Sequence, residues 1–300
     1  MRASLKVLAL YSVLHAASVA AQAQQPAAGP IGSETGHFRE QLHWVPFPAA
    51  PAERTALLSM RVCRPPGQGP HKLAVVNHGS PPRPDQRPTM EPTGCDREAT
   101  RWFIDRGFAV AFPLRRGYGQ TGGAWAENYG ACGAPDYYSA GLQTARDIEA
   151  ALAYARELPF VRKDAIVVVG QSAGGWGTLA LSSRNPEGVA AMVNFAGGRG
   201  GWRDNQPNNN CTPSALVAVA GRYGESARKP VLWIYTPNDT FFAPDLSQAM
   251  HAAYTRSGGL GRFEMMGAYS NDGHNLFFGV GGSRAWGPVV AKFLEEQGVR

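Results

Sequence analysis

The sequence predicts an α/β protein: a doubly wound, mostly parallel sheet with helices on both faces. Three observations carry that expectation. Short runs such as "KLAVVNHG", "FAVAFP" and "AIVVVG" are apolar nearly throughout, the pattern of strands buried on both sides. Stretches with helical periodicity separate these runs, so successive strands are joined by crossovers and lie parallel. The 300 residues, 44% hydrophobic and 17% charged, suffice for a sizeable core and exclude disorder over most of the length.

The first 23 residues stand apart. Arg2 and Lys6 give a positive start, Val7 to Ala21 is apolar with small residues, and Ala21-Gln22-Ala23 has the small-x-small form of a cleavage site. They read as a secretory signal cut after Ala23. The apolar run contains Ser12, His15 and Ser18 and falls short of the roughly 20 residues of a membrane span. The expectation is therefore an exported chain, periplasmic or secreted, without a membrane span once mature. Residues 24–35, rich in Ala, Pro, Gln and Gly, read as a flexible tether, and 36–300 as one domain without internal repeats.

Within that domain the elements follow in order. "ALLSMRV" is a strand stopped by Pro65-Pro66, and "KLAVVNHG" a second. Arg97 to Asp105 is helical and stopped by Gly107 before the strand "FAVAFP". In "YSAGLQTARDIEAALAYARE", Leu142, Ala145, Ile148, Ala151, Leu152 and Ala155 recur at spacings of three and four, one helical face. "AIVVVG" and a small-residue helix from Ala173 to Ser183 come next, then the strand "VAAMVNFAG" and a helix from Pro213 to Gly221. The strand "PVLWIYT", a proline-started helix from Pro244 to Tyr254, the strand "RFEMMGAY" and a helix from Arg284 to Gly298 complete the chain. Gly197 to Asn210, "GGRGGWRDNQPNNN", breaks the alternation. It is too long for a routine connection, so it is a functional flap or a disordered insertion, and 197–228 is a possible cap segment.

Signal removal takes away Arg2 and Lys6 and lowers the formal charge from +6 to +4. The excess is spread out, and no basic cluster interleaved with aromatics points to nucleic acid. Cys63, Cys95, Cys132 and Cys211 form an even set in an exported chain, which favours disulfides. Three pairings are open; Cys95 with Cys132, in loops flanking one strand-and-turn unit, is the preferred one. No cysteine or histidine spacing matches a zinc site.

The chemistry concentrates in "VVVGQSAGGWG". Ser172 falls where a strand turns sharply into a helix, a turn that lifts the hydroxyl above the sheet edge, and Gly170 and Gly174 keep the tight crossing free of side chains. A serine hydroxyl needs a base, and the base an orienting carboxylate. Of the histidines beyond Ser172, His251 lies inside a helix and is assigned to the core or surface, whereas His274 sits in the loop "SNDGHNLF" after the last strand. His274 is the expected base. Asp239, in "IYTPNDT" just past an apolar strand, is the expected acid, because catalytic groups gather beyond the carboxyl ends of parallel strands. Asp272, two residues from His274, is expected to shape its loop instead. An oxyanion hole needs two N–H donors: the Ala173 amide follows the nucleophile, and Ser80 is the nearest donor in "NHGSPP", where the prolines have none.

Taken together, "HGS", "RRGYGQTGG", "GQSAGGWG", "PNDTFFAP" and "DGHNLF" resemble, in that order, an α/β-hydrolase of the dienelactone hydrolase and prolyl-oligopeptidase-like branch. The resemblance covers the chain after Gly36. It implies an eight-stranded, mostly parallel sheet with Ser172, Asp239 and His274 as a triad. It also implies that the Tyr118 hydroxyl is a possible oxyanion donor. Two departures stand out. Position 172 is serine where dienelactone hydrolases have cysteine, and no propeller precedes the fold.

The function expected from these residues is a serine hydrolase that cleaves carboxylic esters of small substrates through an acyl-enzyme. It needs no metal or cofactor. A peptidase acting on short peptides, and a non-catalytic binding protein on the same fold, are the alternatives. Haloalkane chemistry is disfavoured because it needs a carboxylate at position 172. Tyr118, Trp176 and Trp202 are the expected substrate-binding residues; the aromatics of 113–138 form either a pocket wall or core packing, and Arg199, Trp202 and Arg203 meet either an acidic or aromatic substrate or solvent.

Overall fold

The computed structural model describes residues 27–48 and 56–300, so the signal segment at 1–23 lies outside it. One sheet of nine strands organises the rest. Strands β1 (Gly29–Thr35), β2 (Glu40–Phe47) and β3 (Ala56–Cys63) are antiparallel neighbours. Strands β4 (His71–Asn77), β5 (Phe108–Pro113), β6 (Val161–Gln171), β7 (Val189–Phe195), β8 (Val231–Tyr235) and β9 (Gly261–Met265) run parallel to one another. The spatial order is β1-β2-β3-β5-β4-β6-β7-β8-β9, with β3 antiparallel to β5 where the two parts join.

Six helices cover both faces: α1 (Glu98–Ile104), α2 (Tyr137–Ala155), α3 (Ala173–Ser182), α4 (Pro213–Gly224), α5 (Pro244–Arg256) and α6 (Gly282–Glu296). Alternation along β6 shows how one strand serves both layers. Ile166 and Val168 point into the core beneath α2 to α5, while Val167 and Val169 point into the core beneath α1 and α6. All four are fully buried, and at roughly 1.5–3 kcal/mol each their burial anchors the strand that delivers residue 172.

The doubly wound α/β class holds, and the expected parallel strands and helices stand within a few residues of their predicted bounds. Three expectations are corrected. The sheet has nine strands where eight were expected. Residues Gly29–Thr35, read as part of a flexible tether, form the edge strand β1, whose glycines, proline and exposed side chains leave no apolar pattern to read. Its partner β2 was also unforeseen, although His43, Val45 and Phe47 point inward at a spacing of two. Finally, the disulfides are Cys63–Cys95 and Cys132–Cys211, not Cys95 with Cys132. The end of β3 lies beside the loop ahead of α1, and the loop ahead of α2 meets the loop ahead of α4, a proximity set by the sheet and not by sequence spacing. Two such bonds suit an oxidising compartment. No helix among the described residues is long and apolar enough to cross a membrane.

Candidate active site

Ser172 sits between β6 and α3 with φ 54° and ψ −119°, a strained conformation that few residues other than glycine adopt. Close packing around the turn enforces it. A Cβ on Gly170 would overlap the Gly174 carbonyl, and one on Gly174 would stand 2.5 Å from the Asn77 carbonyl oxygen and 2.6 Å from that of His78. Only bare backbone fits at either place. The Ser172 amide donates to the Phe195 carbonyl at 3.0 Å, tying the turn to β7. Ala173 opens α3, where the first-turn N–H groups lack acceptors within the helix.

The turn after β4 presses against this elbow: a Cβ on Gly79 would lie 3.0 Å from Ser172 Cβ. His78 and Ser80 flank that glycine. His78 Nδ1 donates to the Gly79 carbonyl (2.7 Å), while its Nε2 accepts from the Arg115 amide (3.3 Å). Burial and the neighbouring Arg115 guanidinium push the His78 imidazole down to about 3, so it is neutral.

Asp239 and His274 meet at the same edge of the sheet. Asp239 lies in the loop after β8, is 1% exposed, and its Oδ1 accepts from the amides of Phe241 (2.8 Å) and Phe242 (3.0 Å). His274 lies in a single 3-10 turn, Gly273–Asn275, beyond β9. Its Nδ1 is 3.1 Å and 3.2 Å from the two Asp239 carboxylate oxygens, and its ring stacks on Phe241 with centroids 4.1 Å apart. Its backbone carbonyl accepts from Gln171 Nε2 at 3.0 Å, linking it to the residue before Ser172. None of these His274 hydrogen bonds runs to the Ser172 hydroxyl. Asp272 Oδ1 takes the amides of His274 (3.0 Å) and Thr240 (3.1 Å) and so holds the loop. His251 is packed edge-on against Trp233 inside α5.

A cleft of about 280 Å³ opens over Ser172 and Ala173. One wall is the turn from Ser80 to Arg87, another Trp125 and Tyr129, a third Gly198 to Asn205, with Phe241 and Phe242 at the side. A larger cavity lies elsewhere, between β2 and α2. The irregular stretch after β7 is thus a cleft wall. The Cys132–Cys211 bond fastens its far end to the loop bearing Tyr129, and the Cys211 amide donates to the Gly200 carbonyl at 2.8 Å. Only this first part of 197–228 reaches the cleft; Leu216, Ala220 and Tyr223 of α4 are core residues.

Of the expected substrate residues, Trp202 lines the cleft and donates to Thr240 Oγ1 at 3.0 Å. Trp176 does not: it is fully buried and donates to the Tyr137 carbonyl at 3.0 Å, because its helix turns it into the core. Tyr118 is fully buried as well. Its hydroxyl donates to Glu127 Oε2 (2.9 Å) and accepts from Trp125 Nε1 (3.2 Å), leaving it to accept the Ser80 hydroxyl at 2.6 Å. The phenol proton is committed to Glu127 and is not free for an oxyanion. Glu127, fully buried, binds Arg115 and also Arg199 Nη2 at 2.7 Å. Burial alone would raise its carboxyl, but the two arginines hold it well below the usual range. This ion cluster escaped the sequence reading, since nothing in the spacing of residues 115, 127 and 199 brings them together.

A sheet of this order, with a serine elbow after β6, an aspartate after β8 and the histidine it meets after β9, is the α/β-hydrolase fold, which this chain has. Residues 96–197 match the Prolyl oligopeptidase family. The chain is similar in structure to the Pyrococcus furiosus esterase Pf2001, with a TM-score of 0.58 at 16% identity over 86% of this chain and 93% of that one. It is also similar to acetyl xylan esterase 1 from Thermoanaerobacterium sp., with a TM-score of 0.57 at 16% identity over 91% and 89%. A third likeness is to dipeptidyl peptidase 4 of Porphyromonas gingivalis, with a TM-score of 0.57 at 15% identity over 86% of this chain but 35% of that one. No curated protein matches the chain.

Proposed function

We propose that the protein is a serine hydrolase that cleaves carboxylic esters of small substrates, with Ser172 as nucleophile, His274 as general base and Asp239 as the carboxylate that orients the imidazole. The observation that carries this reading is the strained elbow at Ser172 opening into a cleft lined by Phe241, on which the Asp239-bonded His274 ring stacks. His274 takes the Ser172 proton as the hydroxyl attacks the ester carbonyl, a contact that tightens as substrate enters. The tetrahedral oxyanion forms against the Ala173 and Ser80 amides, each donor contributing on the order of 3 kcal/mol to transition-state stabilisation. His274 then protonates the departing alcohol, and water, activated by the same imidazole, hydrolyses the acyl-enzyme. Asp239 holds the tautomer and supports the imidazolium.

The esterases named among the structural neighbours support ester cleavage in general. The family match and the peptidase neighbour support a second reading, cleavage of short peptides by the same three residues. Two measurements decide. Ser172→Ala should abolish turnover of p-nitrophenyl acetate and labelling by a fluorophosphonate while leaving the thermal melt nearly unchanged; retained activity in that variant sinks the assignment. Comparing kcat/KM on an acyl ester and an aminoacyl amide separates esterase from peptidase.

A further inference from the structure

We propose that the cleft takes esters that carry a carboxylate, received by Arg199 and Arg87; this rests on the ester-hydrolase reading above and adds a substrate class to it. The charge count carries the inference. Arg83, Arg87 and Arg199 line the cleft, and no aspartate or glutamate does. Behind the wall, Arg115 and Arg199 share one carboxylate, Glu127. The other polar neighbours add no net negative charge: Asp147, whose field reaches Arg115, is paired with Arg116, His78 is neutral, and burial, with the Glu127 charge beside it, raises the Tyr118 phenol. The cluster therefore keeps one positive charge without a counter-ion. Arg199 is 4% exposed and its Nε has no hydrogen-bond partner. A desolvated guanidinium in that state favours an incoming anion, which would complete the pairing.

Arg87 supplies the second contact. Its guanidinium lies 3.7 Å from the centroid of the Trp125 ring, which orients it at the rim. Arg83, by contrast, is already near Asp85 at the surface. Trp125 and Trp202 give the same cleft flat apolar walls, so it combines a cationic end with hydrophobic sides. Which side of the scissile bond bears the carboxylate is decided by experiment.

The test compares matched esters on the intact protein. p-Nitrophenyl hemisuccinate against p-nitrophenyl butyrate probes an acyl-side carboxylate; 3-acetoxybenzoate against 3-methylphenyl acetate probes the alcohol side. At least one acidic ester should exceed its neutral partner in kcat/KM by on the order of tenfold at low ionic strength, with the advantage shrinking in salt. That ratio should fall towards one in Arg87→Gln and be largely restored in Arg87→Lys. Neutral esters turned over as well as or better than both acidic ones would overturn the anion subsite while leaving the hydrolase reading intact. If no ester is turned over and Ser172 resists a fluorophosphonate, the hydrolase reading fails. The subsite is then judged by binding alone: succinate should raise the melting temperature of the wild type and not of Arg87→Gln, and the absence of any shift overturns it.

Discussion

His274 turns its Nδ1 to Asp239, at 3.1 Å and 3.2 Å from the two carboxylate oxygens, and not to Asp272, which lies only two residues away and spends its carboxylate on backbone amides. The two acids are therefore separable by mutation. Asp239→Asn keeps an Oδ1 acceptor for the Phe241 and Phe242 amides but withdraws the charge that orients the imidazole. It should lower kcat on a p-nitrophenyl ester by about 10⁴-fold, with little change in the melt. Asp272→Asn should lower kcat far less; equal losses in steady-state kinetics would show that the acid has been misassigned.

The elbow's packing makes a stability prediction. In Gly174→Ala the new methyl meets the Asn77 and His78 carbonyl oxygens, both backbone atoms that cannot swing aside. The variant should lose about 1–3 kcal/mol of unfolding free energy, read from a urea melt, and its activity should fall with the displaced nucleophile. A wild-type midpoint in urea would show that the crossing is looser than described.

Glu127 is the sole carboxylate for two buried guanidinium groups. Glu127→Gln withdraws the charge that pairs both and leaves one oxygen where the carboxylate offered two to Arg115, Arg199 and the Tyr118 hydroxyl. Breaking a buried pair in this way costs about 3–5 kcal/mol, so the chemical-denaturation midpoint should drop sharply. A change within the error of the melt would mean that water, not Glu127, balances the arginines.

Acid should destabilise the fold through His43. Burial holds this imidazole down to about 4, against its ordinary 6.5, and its Nδ1 is bonded to the Tyr154 hydroxyl at 2.9 Å. The unfolded chain therefore binds a proton that the folded chain refuses between those two values. The stabilisation is complete above pH 6.5 and is lost as pH falls towards 4, in total about 3 kcal/mol at roughly 1.4 kcal/mol per pH unit. His78, with its imidazole down to about 3, acts in the same direction. His43→Leu should flatten that slope in melts taken from pH 7 to pH 4.

The parallel strands, the turn at Ser172 and the loops that bear Asp239 and His274 were legible in the sequence because each leaves a local mark. The apolar run of β6 ends on G-x-S-x-G, and Asp239 and His274 each lie in the loop that follows a strand. What stayed hidden depends on distance in space. Strand β1 is held by backbone pairing at an edge and needs no apolar pattern. The cysteine partners are 32 and 79 residues apart, and only the sheet order brings them together. Trp176 and Tyr118 look like pocket aromatics by composition, but helix phase and the Glu127 charge turn them inward.

The bond between Cys132 and Cys211 gives the mouth of the cleft a fixed aperture. The loop bearing Tyr129 and the segment bearing Gly200 hang from one covalent crosspiece, so neither swings outward alone to admit a bulky molecule. Entry is accordingly governed by the shape of what arrives. Reduction of that single crosspiece would widen the range of molecules admitted before it altered the reactivity of the serine beneath.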